Sequence, residues 1–129
     1  MDQRYRDLFA KHVLSILCLS EQQDPRSALI VRGRILLGYG FSKGTGTEYD
    51  TSAVFEALQE YYAKRNNWDP LEKSYLFSTY FPTFEEFIAL YSTDIRTIYY
   101  IGDISDERTV RFLNNCSGES FEIIKLEVQ

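Results

Sequence analysis

Apolar side chains recur at helical spacing from residue 3 to about 22, where Leu8, Phe9, His12, Val13, Ile16, Leu17 and Leu19 predict an amphipathic helix. Asp24-Pro25 ends it, because the residue before proline disfavours helical backbone angles. Two strand-like runs follow, Ser27–Val31 and Arg34–Tyr39, with Arg32-Gly33 as a tight hairpin turn between them. After a glycine-rich stretch from Gly40 to Tyr49, Asp50 or Thr51 can cap a second helix with Ala53, Val54, Ala57, Leu58, Tyr61 and Tyr62 on its apolar face. Asn66 to Pro70 closes that helix. Alternation then marks Ser74–Phe81 as a strand, followed by a helix over 83–92 and a strand over Arg96–Ile101. A helix over Ser105–Asn115 and a strand over Phe121–Val128 complete the pattern.

The order is α-β-β-α-β-α-β-α-β. Helices alternating with strands predict a layered α/β sheet, parallel across each βαβ unit except at the initial hairpin. The 129 residues suit a single domain, 1–129, with a real core. At 44% hydrophobic and 26% charged, the chain has the balance of a soluble globular protein. Its apolar runs are far shorter than the roughly 20 residues needed to cross a bilayer, so no membrane partner is expected. Nor does a signal-like apolar segment follow Met1-Asp2-Gln3-Arg4.

Charge narrows the partners. The net charge is −5 and the basic residues are scattered, whereas a phosphate-tracking surface clusters them, so nucleic acid is an unpromising partner. The 10 Tyr and 9 Phe therefore read first as core and interface residues, and only second as base-stacking platforms. Cys18 and Cys116 stand far apart with no CxxC, which fits a reducing cytoplasm better than a disulfide framework. The glycine-rich stretch is not a P-loop, since it lacks the Gly-Lys-Ser/Thr ending.

Five segments, in order, resemble the cytidine/deoxycytidylate deaminase superfamily. Asp24-Pro25-Arg26-Ser27-Ala28-Leu29-Ile30-Val31 is similar to that family's "DPxxxVGAxIV", and Arg34 to Gly40 to its strand ending in "GYNG". Ser52-Ala53-Val54-Phe55-Glu56-Ala57-Leu58 sits where the family has "HAExNAI". Leu76 to Glu86 sits where it has "LYVTxxPCxxC", and Ile95 to Tyr100 resembles "GIKRVVY". The resemblance implies a three-layer α-β-α cytidine-deaminase-like fold, with a five-stranded mixed sheet and flanking helices.

It also implies a chemistry that this chain lacks the residues to perform. In the family one His and two Cys hold Zn²⁺, and the Glu of H-x-E moves protons while zinc-bound hydroxide attacks the ring carbon. Here Ser52 stands for the His, Val54 for the Glu, Thr83 for the first Cys and Glu86 for the second; Gly40 replaces the substrate-contacting Asn. Sliding the second helix by two residues would bring Glu56 to the proton-shuttle position, but Val54 would then replace the His, so zinc ligation fails in either register. We adopt the first register because it aligns the following Ala-Leu pair. His12 and Cys18, six apart on one helix, do not share a face and read as boundary residues. Asp50, Glu85 and Glu86 could be imagined around a hard cation, although acidic residues at helix starts more commonly complement the helix dipole.

Thr83-Phe84-Glu85-Glu86 is instead a T-x-x-E capping box, an ordinary helix start at the place of the missing cysteines. The expectation is a domain adapted to fold without metal or other cofactor and with no catalytic residue, Val54 filling former pocket space. Its degenerate pocket comprises Gly40, Ser52, Val54, Glu56, Thr83 and Glu86. Three functions compete. The first is a cytoplasmic pseudoenzyme acting as an assembly, regulatory or interaction subunit, as a homo-oligomer or with a protein partner. The second is a nucleotide or nucleoside sensor using the remodelled pocket. The third is a deaminase-family hydrolase of altered chemistry.

Overall fold

The computed structural model describes residues 1–20, 25–42, 52–64, 71, 73–102, 107–115 and 121–127. Helix α1 (Gln3–Ile16) runs into a short 3₁₀ turn at Leu17–Leu19. Then come strands β1 (Ser27–Arg32) and β2 (Ile35–Phe41), helix α2 (Ala53–Ala63), strand β3 (Tyr75–Ser78) and helix α3 (Phe84–Tyr91). Strand β4 (Thr97–Tyr100), helix α4 (Glu107–Asn115) and strand β5 (Glu122–Lys125) complete the order expected from the sequence.

The strands form one five-stranded mixed sheet in the order β2-β1-β3-β4-β5. Strand β1 is antiparallel to both β2 and β3, while β3, β4 and β5 run parallel. Strand alternation sorts the core into two halves. On one face Leu29, Val31, Phe77 and Tyr99 pack against Phe9, Ala10, Val13 and Ile16 of α1. Phe77 and Tyr99 stack there at 4.7 Å. On the other face Ala28, Ile30, Leu76, Ile98 and Tyr100 meet Val54, Ala57 and Tyr61 of α2 and Phe87 and Leu90 of α3. This is the three-layer architecture.

Several boundaries differ from expectation for physical reasons. The hairpin turn is Gly33-Arg34, one residue later than predicted, because Gly33 at φ 61 supplies the left-handed corner of a two-residue loop. Strand β2 continues through Gly40 to Phe41, so the start of the glycine-rich stretch is strand; residues 43–51 lie outside the described residues. Strand β3 stops at Ser78 instead of Phe81. There the Ser78 hydroxyl donates to the Tyr80 carbonyl at 2.6 Å, and Thr79 Oγ1 accepts the Ser27 amide at 3.0 Å, so side chains turn the backbone away from the sheet. On α1 only Phe9, Ala10, Val13 and Ile16 are buried; Leu8, His12 and Leu19 face outward.

The aromatic residues answer the composition question largely in favour of the core. Tyr61, Phe81, Tyr99 and Tyr100 are buried, and among the described aromatics only Tyr39, Phe55 and Tyr91 count as exposed. No helix among the described residues is long and apolar enough to cross a membrane.

Candidate functional site

At the end of β3 the sheet opens toward two helix N-termini, and four of the six singled-out residues gather there. Ser52 is the N-cap of α2: its hydroxyl accepts the Phe55 amide at 3.2 Å. This corrects the expected cap; Asp50 and Thr51 lie outside the described residues. Val54, the second residue of α2, is fully buried in the core. Thr83 caps α3, and the capping box is complete. Thr83 Oγ1 accepts the Glu86 amide at 3.3 Å, while Glu86 Oε1 accepts the Thr83 amide at 2.9 Å.

Gly40 and Glu56 meet along the same first turns of α2, where the helix presses on β2. A Cβ built on Gly40 would lie 2.7 Å from the Glu56 Cβ and 2.5 Å from the Ala57 amide nitrogen. Position 40 is therefore a point of backbone contact with room for hydrogen only. Glu85 is exposed and lies 3.8 Å from Arg108, so it does not join Glu86 in a pocket; Asp50 is not among the described residues.

One residue at this site was not among the expected pocket positions. Tyr80, just past β3, donates its hydroxyl to Glu86 Oε2. The Arg26 guanidinium, from the entry to β1, lies over its ring at 4.8 Å. Glu86 itself is only 1% exposed. Burial first, then the charge and hydrogen bond of Glu86, push the Tyr80 phenol well above its ordinary 10.0; the Val54 amide and Arg26 pull weakly the other way.

A pH dependence follows from that direction. A raised folded-state value means the protonated phenol stabilises the fold fully below the ordinary 10.0, and that contribution is lost as pH rises through the folded-state value. The urea midpoint of the protein is expected to fall more steeply above about pH 10 than that of Tyr80→Phe. Parallel curves would refute the assignment.

A cavity of about 250 Å³ lies at the opposite end of the sheet, lined by Met1, Asp2, Tyr5, Gly33, Arg34 and Tyr75, and includes none of these positions.

No family model and no curated protein sequence matches the chain. Solved structures do. A dCMP deaminase from the cyanophage S-TIM5, crystallised with dCMP and dUMP, superposes with a TM-score of 0.80 at 16% identity, covering 98% of this chain and 99% of that one. The fold is that of the cytidine deaminases. A diaminohydroxyphosphoribosylaminopyrimidine deaminase/reductase from Thermotoga maritima matches 95% of this chain and 36% of its own, with a TM-score of 0.72 and 15% identity. A tRNA:A34 deaminase matches 78% of this chain and 81% of its own, at a TM-score of 0.57 and 13% identity.

Within the deaminase fold, the positions that the resemblance assigns to metal do not fit zinc. The Ser52 and Thr83 hydroxyls are committed to helix amides, and Val54, at the proton-shuttle position, carries no ionisable group. Both Glu86 oxygens already accept hydrogen bonds, from the Thr83 amide and the Tyr80 hydroxyl. Zinc favours thiolate and imidazole. Among the described residues no group of three or more His, Cys, Asp or Glu side chains is placed to hold a metal ion.

Proposed function

We propose that this chain is a deaminase-fold protein that does not deaminate and serves as an assembly, regulatory or interaction subunit in the cytoplasm, as a homo-oligomer or with a protein partner. The observation that carries this reading is the use made of the four former ligand and shuttle positions. Three are spent on helix caps and the fourth on the apolar core, so these four positions supply neither a zinc ligand set nor a proton shuttle to activate water.

Assembly would draw on side-chain surface. Strand β2, at the edge of the sheet, exposes Ile35, Leu36 and Tyr39. Its backbone is guarded against simple strand addition, since the Tyr39 amide donates to Glu60 Oε2 at 2.9 Å. Purified protein is expected to carry no stoichiometric zinc, to leave dCMP unchanged, and to show a mass in light scattering that rises with concentration. Stoichiometric zinc with turnover of dCMP would overturn the non-catalytic reading. A strict monomer at high concentration would overturn self-assembly.

A second reading, a nucleotide sensor, draws on the cyanophage enzyme crystallised with dCMP and dUMP. Raised melting temperature in the presence of either nucleotide would support it, and unchanged melting with both would end it.

A further inference from the structure

We infer that the cavity at the hairpin end of the sheet is a ligand site of its own, which takes a small aromatic carboxylate, the anion on Arg34 and the ring against Tyr5 and Tyr75. Its position follows from the topology. The β1–β2 turn (Gly33-Arg34), the first residue of β3 (Tyr75) and the first turn of α1 (Tyr5) meet around about 250 Å³, on the face of the sheet that α1 covers. The former ligand and shuttle positions lie at the other end of β3, and the two sites share no residue.

The lining carries recognition groups that the fold does not consume. The Arg34 guanidinium lies 4.9 Å from the centre of the Tyr5 ring, which holds it in place by cation–π attraction. Among the described residues that guanidinium makes no ion pair or hydrogen bond, and the hydroxyls of Tyr5 and Tyr75 make no hydrogen bond either. Asp2, the acidic residue of the lining, is engaged elsewhere. Its Oδ1 accepts the Arg4 amide at 3.0 Å, and its Oδ2 lies 3.5 Å from the Arg4 guanidinium. The charge left over is positive, in a protein whose net charge is −5. One ring further along, Arg6 lies over Tyr99 at 5.1 Å, its Nε buried without a hydrogen-bond partner, and the Tyr99 ring stands 6.0 Å from that of Tyr75. Both cations favour an anion at this end of the sheet.

The same groups set the class of ligand. A planar guanidinium presents paired N–H donors that match a carboxylate bidentately. Tyr5 and Tyr75 add flat apolar surface with a polar rim. Gly33 leaves the turn open, with nothing within 4 Å of a Cβ built there. The volume falls below the roughly 300–1,000 Å³ of drug-sized pockets, which points to a ligand of about one ring. One unpaired guanidinium in the lining, with Asp2 beside it, suits a monoanion better than a phosphate dianion.

The inference stands on this lining alone, so failure of the assembly role or of the nucleotide reading leaves it untouched. Its test titrates the whole protein with benzoate and follows the backbone amides by NMR, with benzyl alcohol, benzamidine and inorganic phosphate as comparison probes. Benzoate is expected to shift the amides of Tyr5, Gly33 and Tyr75 saturably and to leave those of Ser52, Thr83 and Glu86 in place. Benzyl alcohol and benzamidine keep the ring without the anion, and phosphate keeps an anion without the ring. Each should bind at least about tenfold more weakly, as expected when a hydrogen bond to a charged group is lost. Arg34→Met should weaken benzoate by about the same factor, and Arg34→Lys should not restore it, because an ammonium lacks the planar fork. Arg34 is exposed, so both variants are expected to keep the wild-type circular dichroism spectrum. No saturable shift with benzoate, binding untouched by Arg34→Met, an equal response to benzyl alcohol or phosphate, or shifts centred on Ser52 and Glu86 would each overturn the site.

Discussion

Gly40→Ala is expected to be the most damaging single substitution of the candidate site, displacing α2 or preventing stable folding. The new Cβ would sit 2.5 Å from the Ala57 nitrogen, 2.7 Å from the Glu56 Cβ, and nearer still to the Ala53 carbonyl oxygen. Two of those three atoms are backbone atoms of α2, so no rotamer change relieves the clash. Overpacking a core typically costs about 1–3 kcal/mol, and with helix backbone in the way we expect a loss of at least about 3 kcal/mol. Urea denaturation followed by circular dichroism measures it. Gly33→Ala is the control: nothing lies within 4 Å of its Cβ, and only the positive φ of 61 is strained, at about 1–2 kcal/mol. Gly40→Asn, which restores the family's residue in our alignment, should be at least as disruptive as alanine. Near-wild-type stability of Gly40→Ala would show that α2 has room to move, and would return position 40 to the ligand-binding reading.

The same contrast between local and distant contacts explains what was legible in the sequence. The Thr83–Glu86 capping box could be read directly, because its bonds close within four consecutive residues. The alternating faces of β1 and β3 were legible for the same reason: period two sorts Leu29 and Phe77 to one face and Ile30 and Leu76 to the other. Where several neighbours share one chemistry, the pattern chose badly. Ser52 rather than Asp50 or Thr51 caps α2, since all three can accept an amide and only the path of the chain selects among them. On α1 the apolar stripe looked wider than the face that is buried; Leu8 and His12 lie outside it.

Tyr80 was illegible for a deeper reason. Its partners Arg26 and Glu86 come from the entry to β1 and from α3, and nothing in the spacing of those residues announces that they meet. The available cue was a phenol placed between a strand end and the Pro82 that precedes a capping box, a position from which a turn can swing it onto the helix start. Gly40 shows a related limit. A glycine in a strand signals close approach of something, but not whether backbone or ligand is what approaches.

Restoring the family's residues provides the second large effect, and it also tests the alignment. The combined variant Ser52→His, Val54→Glu, Thr83→Cys and Glu86→Cys is expected to be poorly folded without metal and to refold on adding zinc. Ser52→His and Thr83→Cys each give up a cap worth about 0.5–2 kcal/mol. Val54→Glu places a carboxylate where the side chain is fully buried, at a cost of several kcal/mol unless it is paired. Glu86→Cys leaves the Tyr80 hydroxyl without its acceptor. Those losses together rival the roughly 5–15 kcal/mol that holds a whole domain folded. Zinc on one imidazole and two thiolates can offset them, since structural zinc contributes about 10–16 kcal/mol in small peptides. Circular dichroism with and without one equivalent of zinc, together with metal analysis after desalting, gives the outcome. A parallel variant with Val54→His, Thr83→Cys and Glu86→Cys keeps Ser52 and the native Glu56. It presents the ligands in the register displaced by two residues. Zinc retention and refolding in the first variant alone would fix the alignment used here. If only the second retains zinc, the second helix must be moved by two residues, Glu56 becomes the remnant of the proton shuttle, and Ser52 is simply a helix cap.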